Sequence, residues 1–342
     1  VKASASASAT PAVSVLLPVW NAAATLRAAL LSVARQSLHD FECVIVDDGS
    51  EDASRDVAAS FALADGRFRV LSQPHAGIVA ALNAGLDLCR GRYVARMDAD
   101  DLMHRERLRL QMDALQSDPD LAGVGCHVRF FPRRDLTDGL VTYEKWLNGL
   151  RTPEAVLRDR FIECPLAHPT WTIRREVLAS AGYRDDGFPE DYDALLRITA
   201  KGTRLGVVAR PLLLWRDGPA RLSRIGAAYG ADRFTACKAH HLAQSFLGES
   251  SEYVLWGYGD TGRVLARALA ARGRRPTHII ELHPGRIGQR IFGAHVIGVE
   301  QLATVKGRKI VVSVAGPQAR GEIRERLAAT GFVELVEFVC AA

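Results

Sequence analysis

Short apolar runs alternate with segments of helical periodicity along the first hundred residues. Val13-Ser14-Val15-Leu16-Leu17-Pro18 predicts a buried strand stopped by proline, and Ala22 to Gln36 follows with good helix formers. Phe41 to Val46 predicts a second strand, Ser54 to Ala64 a helix, Phe68 to Leu71 a strand, Ile78 to Cys89 a helix and Tyr93 to Met97 a strand. Strands alternating with helices of this length imply βαβ units and a parallel sheet, whose ligands bind outside the carboxyl ends of the strands.

From about Leu121 to His168 the pattern turns irregular. Beyond it come a strand-like Thr170 to Arg174, a helix over Arg175 to Ala181, a loop over Gly182 to Pro189 and a helical run over Asp193 to Lys201. Pro211 to Leu214 reads as an apolar strand, and Gly226 to Gly248 as one helix or two. A second alternation begins at Glu252: strand Tyr253 to Trp256, helix Arg263 to Arg272, strand Thr277 to Ile280, strand Lys309 to Val314 and helix Pro317 to Thr330. The expected organisation is a tail over 1–11, a domain over 12–225, a helical connector over 226–249 and a compact α/β domain over 250–342.

Carboxylates mark the strand ends. Asp47-Asp48-Gly49-Ser50 closes the second strand, and Arg96-Met97-Asp98-Ala99-Asp100-Asp101 closes the strand at Tyr93. Side chains alternate along a strand, so Asp98 and Asp100 fall on one side and repel unless a cation lies between them. A hard divalent ion with oxygen ligands, Mg²⁺ or Mn²⁺, resolves that conflict. A solvated loop start is the plainer alternative for either cluster taken alone.

Composition narrows the class. The 342 residues are 48% apolar and 24% charged, the balance of a soluble globular protein with room for two cores. No apolar run approaches the roughly 18 residues that span a bilayer. Val1 to Pro11 is an Ala/Ser tract without an apolar core, read as a disordered tail and not as a signal peptide. Six scattered cysteines lack metal-type spacing and fit reduced structural thiols in a cytoplasmic protein. The formal charge of +5 comes mainly from arginine; the clusters at 129–134 and 272–275 read as solvated faces, with phosphate, lipid-headgroup or glycan contact the alternative. No nucleic-acid motif with interleaved aromatics is present.

Taken in order, Pro18-Val19-Trp20-Asn21, Val46-Asp47-Asp48-Gly49-Ser50, Leu82-Asn83-Ala84-Gly85, Ala95 to Asp101 and Glu190-Asp191-Tyr192-Asp193 resemble a family 2 glycosyltransferase of the GT-A fold over about residues 12 to 225. The resemblance implies a mixed, mostly parallel sheet and transfer of a sugar from a nucleoside diphosphate donor, a UDP-sugar favoured, to a saccharide acceptor. Cell-surface polysaccharide or lipopolysaccharide synthesis is the family's commonest setting. It implies Asp100 as metal ligand, Asp98 on the ribose or the metal, and Asp48 on the base with Asp47 as a nearby candidate. Pro18 through Asn21 (Pro18, Val19, Trp20 and Asn21), with Asn83, would line the nucleotide pocket; for Pro18 to Asn21 a plain strand-to-helix turn is the competing reading. For Asp47, a turn residue capping Gly49-Ser50 is the competing reading.

By the same resemblance Asp191 is the base that takes the acceptor proton, with Glu190 orienting the acceptor; one base and a single displacement invert the anomeric centre. The alternative is that both acids merely favour the positive end of the following helix. Relatives often carry a histidine near Asp217, which here would substitute as a third metal ligand. Arg221 and Arg224 would bind phosphate or form a solvated basic loop. His168 would position an acceptor hydroxyl or be structural. Ile78 stands where many relatives have a basic residue, so that helix is not expected to contact phosphate. Peripheral contact with the inner membrane face and a homodimer complete the partner expectations.

The C-terminal piece resembles small Rossmann-like nucleotide-binding domains. Gly257, Gly259 and Gly262 form G-x-G-x-x-G between strand and helix, and Glu281 ends the next strand where an acid binds ribose. A nucleotide or NAD(P) is the implied ligand; a structural or oligomerising module is the alternative. Two rival functions remain. An NAD(P)-dependent sugar-nucleotide oxidoreductase or epimerase would need a Tyr/Lys or Cys/His pair that residues 252 to 342 do not offer at recognisable spacing. The other is a non-catalytic sugar-nucleotide sensor.

Overall fold

The computed structural model describes residues 10–218, 221 and 226–342. Its contacts divide the chain into two compact units. The first holds residues 10–153, 166–185 and 201–218; the second holds 154–165, 186–200, 221 and 226–342.

In chain order the first half runs β1 (Val13–Val19), α1 (Ala23–Ala34), β2 (Phe41–Asp48), α2 (Ser54–Ala64), β3 (Phe68–Gln73), α3 (Ile78–Leu88), β4 (Tyr93–Arg96), β5 (Leu102–Met103), α4 (Arg107–Ser117), β6 (Leu121–Phe131) and α5 (Asp138–Gly149). Then come α6 (Pro153–Asp159), β7 (Thr172–Arg174), α7 (Arg175–Ala181), α8 (Glu190–Thr199) and β8 (Arg204–Arg216). The first unit is built on an eight-stranded mixed sheet of order β3-β2-β1-β4-β7-β6-β8-β5. Strands β3, β2, β1 and β4 are parallel, and β7 runs antiparallel to both β4 and β6.

Every residue of β1 and β2 is buried, as in strands covered on both faces. Helix α3 comes so close to them that a Cβ on Gly85 would meet Val46 Cγ2 at 2.7 Å, so the glycine of Leu82-Asn83-Ala84-Gly85 is a packing requirement. The parallel register sends the ends of β2 and β4 to the same edge of the sheet, which places Asp47/Asp48 and Asp98/Asp100 along one rim.

The structure corrects the sequence reading between 121 and 168. An eleven-residue strand, β6, opens that stretch, followed by α5. Gly123 and Gly125 weaken its strand signal. They are there because a Cβ on Gly123 would meet Ile173 Cγ1 at 2.7 Å across the β7 pairing. Strand β8 likewise runs well beyond the expected Pro211 to Leu214. Pro211 sits opposite His127 where the β6–β8 register shifts, so a bulge absorbs the missing N–H.

The second unit continues with α9 (Ala231–His241), β9 (Glu252–Trp256), α10 (Asp260–Ala270), β10 (Arg275–Ile280), β11 (Arg290–Ile291), β12 (Ala294–Ile297), β13 (Ile310–Val312), α11 (Pro317–Ala329) and β14 (Phe338–Cys340). Its sheet has the order β11-β12-β10-β9-β13-β14; all neighbours are parallel except β11 with β12. The order reverses at β9, whose chain leaves to β10 on one side while β13 lies on the other. All six cysteines are buried free thiols. Burial pushes Cys126 and Cys340 up to about 11, which keeps them protonated and inert. No helix of the described residues is long and apolar enough to cross a membrane.

Candidate functional site

Strand β4 ends at Arg96, and the chain turns out through buried Met97 into the acidic run. Carboxylate oxygens of Asp98, Asp100 and Asp101 lie within 4.8 Å of one another. Asp98 and Asp100 are partly open to solvent, whereas Asp101 is fully buried. Asp101 Oδ1 accepts the Arg216 N–H (2.7 Å), and the Arg216 Nε–H reaches the Asp100 carbonyl (2.7 Å), so the end of β8 closes over the turn.

Beneath the turn lie two buried arginines. Arg96 ion-pairs with Asp98 Oδ1. Arg107, wholly buried on α4, donates to the Arg96 carbonyl (2.9 Å) and to Gln111 Oε1 (3.0 Å). Gln111 in turn donates to the Thr170 carbonyl (2.7 Å) and accepts from the Thr172 hydroxyl (2.8 Å). These hydrogen bonds fix the backbone that presents Asp98 and Asp100. The donor set is all carboxylate oxygen, the chemistry of Mg²⁺ and Mn²⁺ and not of softer metals, so Asp98 and Asp100 fit a hard divalent ion. Asp217 is not in the cluster: its backbone N–H is bound to the Phe131 carbonyl (2.9 Å), and Asp101 is the third acid there instead.

At the end of β2 both acids are buried and engaged. Asp47 accepts from Ser50 N (3.2 Å) and Arg55 Nε (3.1 Å), the capping arrangement of a turn residue. Asp48 Oδ1 accepts from Gln73 Nε2 (2.6 Å) and Ala76 N (3.0 Å); its Oδ2 accepts from Gly77 N (2.8 Å), and His75 Nδ1 lies 2.8 Å from that oxygen and 3.0 Å from the Asp48 carbonyl. Asp48 therefore holds the loop between β3 and α3 in place. That loop carries His75, whose ring stacks on the half-exposed Trp20 at 4.4 Å and 19°. Pro18 and Val19 are buried in β1. Asn21 lies just beyond, in the left-handed region at φ +48°, which asparagine tolerates. Its side chain accepts from Glu51 N (2.8 Å) and its backbone N–H donates to Ser50 Oγ (3.0 Å).

Asn83 and His168 belong to another small network. The Asn83 amide clamps the Tyr183 backbone from both sides, donating to its carbonyl (2.9 Å) and accepting its N–H (3.0 Å). The Tyr183 hydroxyl shares a hydrogen bond with His168 Nε2 (2.9 Å). Burial, and then the Arg96 charge, hold His168 well below its ordinary pKa, so the imidazole is neutral at pH 7. Among the residues expected to line a ligand pocket, these two face protein.

In the second unit Glu190 and Asp191 occupy the first turn of α8 itself. Glu190 Oε2 accepts the Tyr229 hydroxyl. Asp191 Oδ1 accepts the Tyr192 N–H (2.7 Å). Buried Asp193 anchors the same turn, accepting from His241 Nε2 (2.8 Å) and Arg197 Nε (2.8 Å). Burial pushes the Asp193 carboxyl up, but those two hydrogen bonds outweigh it and leave it below its usual value. Arg221 is half-buried, and Arg224 lies outside the described residues. Gly257, Gly259 and Gly262 form the turn from β9 into α10, with Glu281 one residue past β10.

The roles of Arg96 and Arg107 and the pairing of Trp20 with His75 are not evident from local sequence pattern. Arg96 stands inside the acidic motif, and a buried cation beside three acids is what their mutual repulsion calls for. Arg107, on the next helix, has a signal only in hindsight. Trp20 and His75 are 55 positions apart and nothing local pairs them.

Residues 14–181 match the family described as glycosyl transferase family 2. It is 28% identical to the uncharacterized glycosyltransferase EpsJ of Bacillus subtilis, over 63% of this chain and 64% of that one. The putative glycosyltransferase EpsH of the same organism is 37% identical over 33% of each chain. The chondroitin synthase of Pasteurella multocida is 29% identical over 56% of this chain and 19% of the synthase. The chain thus spans less than two thirds of the length of each of these relatives. In fold it is similar to S. aureus TarS 1-349, solved in complex with UDP-GlcNAc, with a TM-score of 0.56 and 17% identity over 75% of this chain and 71% of that one. The fold is a mixed α/β, GT-A-like one.

Proposed function

We propose that the chain is a glycosyltransferase that moves a sugar from a nucleoside diphosphate donor, a UDP-sugar favoured, to a saccharide acceptor during polysaccharide synthesis, with inversion at the anomeric carbon. The observation that carries this reading is the cluster of Asp98, Asp100 and Asp101 at the carboxyl end of β4, inside the family 2 domain. The matched family is one of transferases, which does not favour the oxidoreductase alternative.

Asp98 and Asp100 would hold a divalent ion, Mg²⁺ or Mn²⁺, which when bound supplies Lewis-acid stabilisation of the departing diphosphate, on the order of several kcal/mol. Trp20 and His75 offer a flat aromatic surface for the base, and Asp48 supports it by fixing the loop beneath. Asp191 takes the acceptor proton as the hydroxyl attacks. Glu190, held by Tyr229, orients the acceptor. Arg221 is a candidate for the diphosphate. Asn83 and His168 act through Tyr183, at one remove from any ligand.

The test is release of nucleoside diphosphate from a panel of nucleotide sugars by the full chain with Mn²⁺ and oligosaccharide acceptors. Turnover of one donor that disappears in Asp100→Asn supports the reading; no turnover across the panel sinks it.

A further inference from the structure

The end of the first sheet opposite the acidic rim is lined with arginine. Strands β1 to β4, β6 and β8 start along that edge, and β7, antiparallel to β4 and β6, finishes there. Most of its arginines are matched by acids of the chain. Arg67 pairs with Asp65, Arg69 and Arg90 with Glu42, and Arg204 with Asp118 and Asp120. Arg92, Arg174 and Arg175 are not: among the described residues no carboxylate oxygen lies within 4.0 Å of their side-chain nitrogens.

These three meet at one cavity of about 210 Å³, with Glu176 as the fourth lining residue. Neither run of arginines along the sequence supplies them; pairing between strands does. Tyr93 of β4 lies opposite Arg174 of β7, and the Arg175 N–H donates to the Arg92 carbonyl (2.9 Å). Backbone carbonyls then orient two of the guanidinium groups. Arg174 donates from Nε to Leu121 (3.2 Å) and from Nη2 to Pro119 (2.8 Å), and Arg175 from Nε to Gly91 (3.2 Å). Arg92 and Arg174 both lie over the Tyr93 ring, 5.5 and 5.6 Å from its centroid. Among the described residues the Arg174 Nη1, both Nη groups of Arg175 and the whole Arg92 fork have donors to spare.

A guanidinium cannot shed its proton, so three of them gathered at one cavity repel one another. Elsewhere along this edge acids of the chain relieve that repulsion; here an anion from outside would. Oriented guanidinium forks suit a tetrahedral oxyanion, which accepts two parallel bonds from each. Three arginines and the Glu176 carboxylate leave two positive charges around the cavity, the complement of a phosphate dianion. Water takes roughly 30 Å³ per molecule in the liquid, so the cavity has room for a phosphate group and several waters. Arg92 and Arg175 are exposed, which leaves the cavity open to a ligand.

We propose that Arg92, Arg174 and Arg175 form a phosphate-binding site, separate from the acidic cluster that follows the other end of β4. It needs neither a metal nor sugar transfer. A free phosphate and the phosphate of a lipid headgroup share this chemistry.

Two assays on the full chain in metal-free Tris buffer test it. One is calorimetric titration with inorganic phosphate; the other is cosedimentation with vesicles of phosphatidylcholine alone or mixed equally with phosphatidylglycerol. Saturation of one site by inorganic phosphate assigns a soluble phosphate as the source. Binding to the mixed vesicles alone, without saturation by inorganic phosphate, assigns a headgroup. Arg92→Gln removes no hydrogen bond of the described structure, so its melting temperature should stay within about 1 °C of wild type. It should weaken binding about fivefold, and Arg92→Gln/Arg175→Gln about tenfold or more. Arg204→Gln takes the same charge from the same edge, but from an arginine already paired with acids, and should leave binding within about twofold. No binding in either assay, undiminished binding by the double variant, or an equal loss in Arg204→Gln would each overturn the proposal. The last would show general attraction to a basic edge and not a site.

Discussion

The Arg96 guanidinium, buried at the end of β4, ion-pairs with Asp98, the first carboxylate of the acidic run. The run is therefore already partly neutralised from beneath, and a bound cation must share Asp98 with a fixed positive charge. Like charges a few ångströms apart at a protein surface interact by up to about 4 kcal/mol. Arg96→Met should strengthen Mn²⁺ binding about tenfold, a modest fraction of that figure, and lower the metal-free melting temperature. Asp100→Asn should abolish the Mn²⁺-induced rise in melting temperature. Titration calorimetry and thermal unfolding with and without Mn²⁺ read both effects.

Asp48 ties the β3–α3 loop down: its carboxylate accepts three hydrogen bonds, two of them from backbone N–H groups, and lies 2.8 Å from His75 Nδ1. Asp48→Ala leaves those donors without their acceptor, at a cost of about 2–3 kcal/mol. Urea unfolding should show the loss. Because the loop carries His75, donor KM should rise several-fold in the same variant, whereas Asp47→Ala, whose carboxylate accepts from Ser50 and Arg55, should affect stability alone.

The strands that matter for this site were readable because they are short and mostly apolar, with acids closing β2 and following β4: β1, β2 and β4 stand within a residue or two of their sequence boundaries. The strands missed or shortened, β6 and β8, carry Gly123, Gly125 and Pro211, each placed by a tertiary contact that no local propensity encodes. In the site, the identity of the carboxylates was readable but their state was not. Whether an acid is open, as Asp100 is in part, or saturated by its own loop, as Asp48 is, depends on donors 25 to 29 residues away. Asn83 likewise is committed to Tyr183, 100 residues on, and of the two buried cations under the acidic run Arg107 comes from the following helix, α4.

Tyr229 holds Glu190 by its hydroxyl. Tyr229→Phe keeps the ring and removes that bond, so Glu190 loses its fixed orientation. Steady-state kinetics should show kcat lower by about tenfold with donor KM unchanged, the signature of an interaction that serves the transition state and not donor binding. A rise in donor KM with kcat intact would contradict the positioning role.

Glu42, buried near the start of β2 and paired with Ser14 of β1, accepts from Ser14 Oγ (2.8 Å), Arg69 Nη1 (3.0 Å) and Arg90 N and Nη2 (2.8 and 2.7 Å). Burial raises its pKa, but the bonds from Arg90, Ser14 and Arg69 outweigh it and bring it down to about 2. A lowered folded-state pKa contributes stability that is full above the unfolded value near 4.5 and fades as pH falls toward 2. Discounted for water reaching the half-exposed arginines, the contribution is on the order of 2 kcal/mol. Glu42→Gln should lose that much at pH 7, and its stability should fall less steeply than wild type between pH 4.5 and 2 in acid unfolding.

The most direct test of the transferase account compares Asp191→Asn with the wild-type chain in Mn²⁺, measuring sugar transfer by product chromatography and donor binding by calorimetry on the same preparation. The account predicts transfer reduced by about a hundredfold or more, with donor affinity within about twofold, because the lost group is a base for the acceptor and not a donor contact. Undiminished transfer by Asp191→Asn would contradict it.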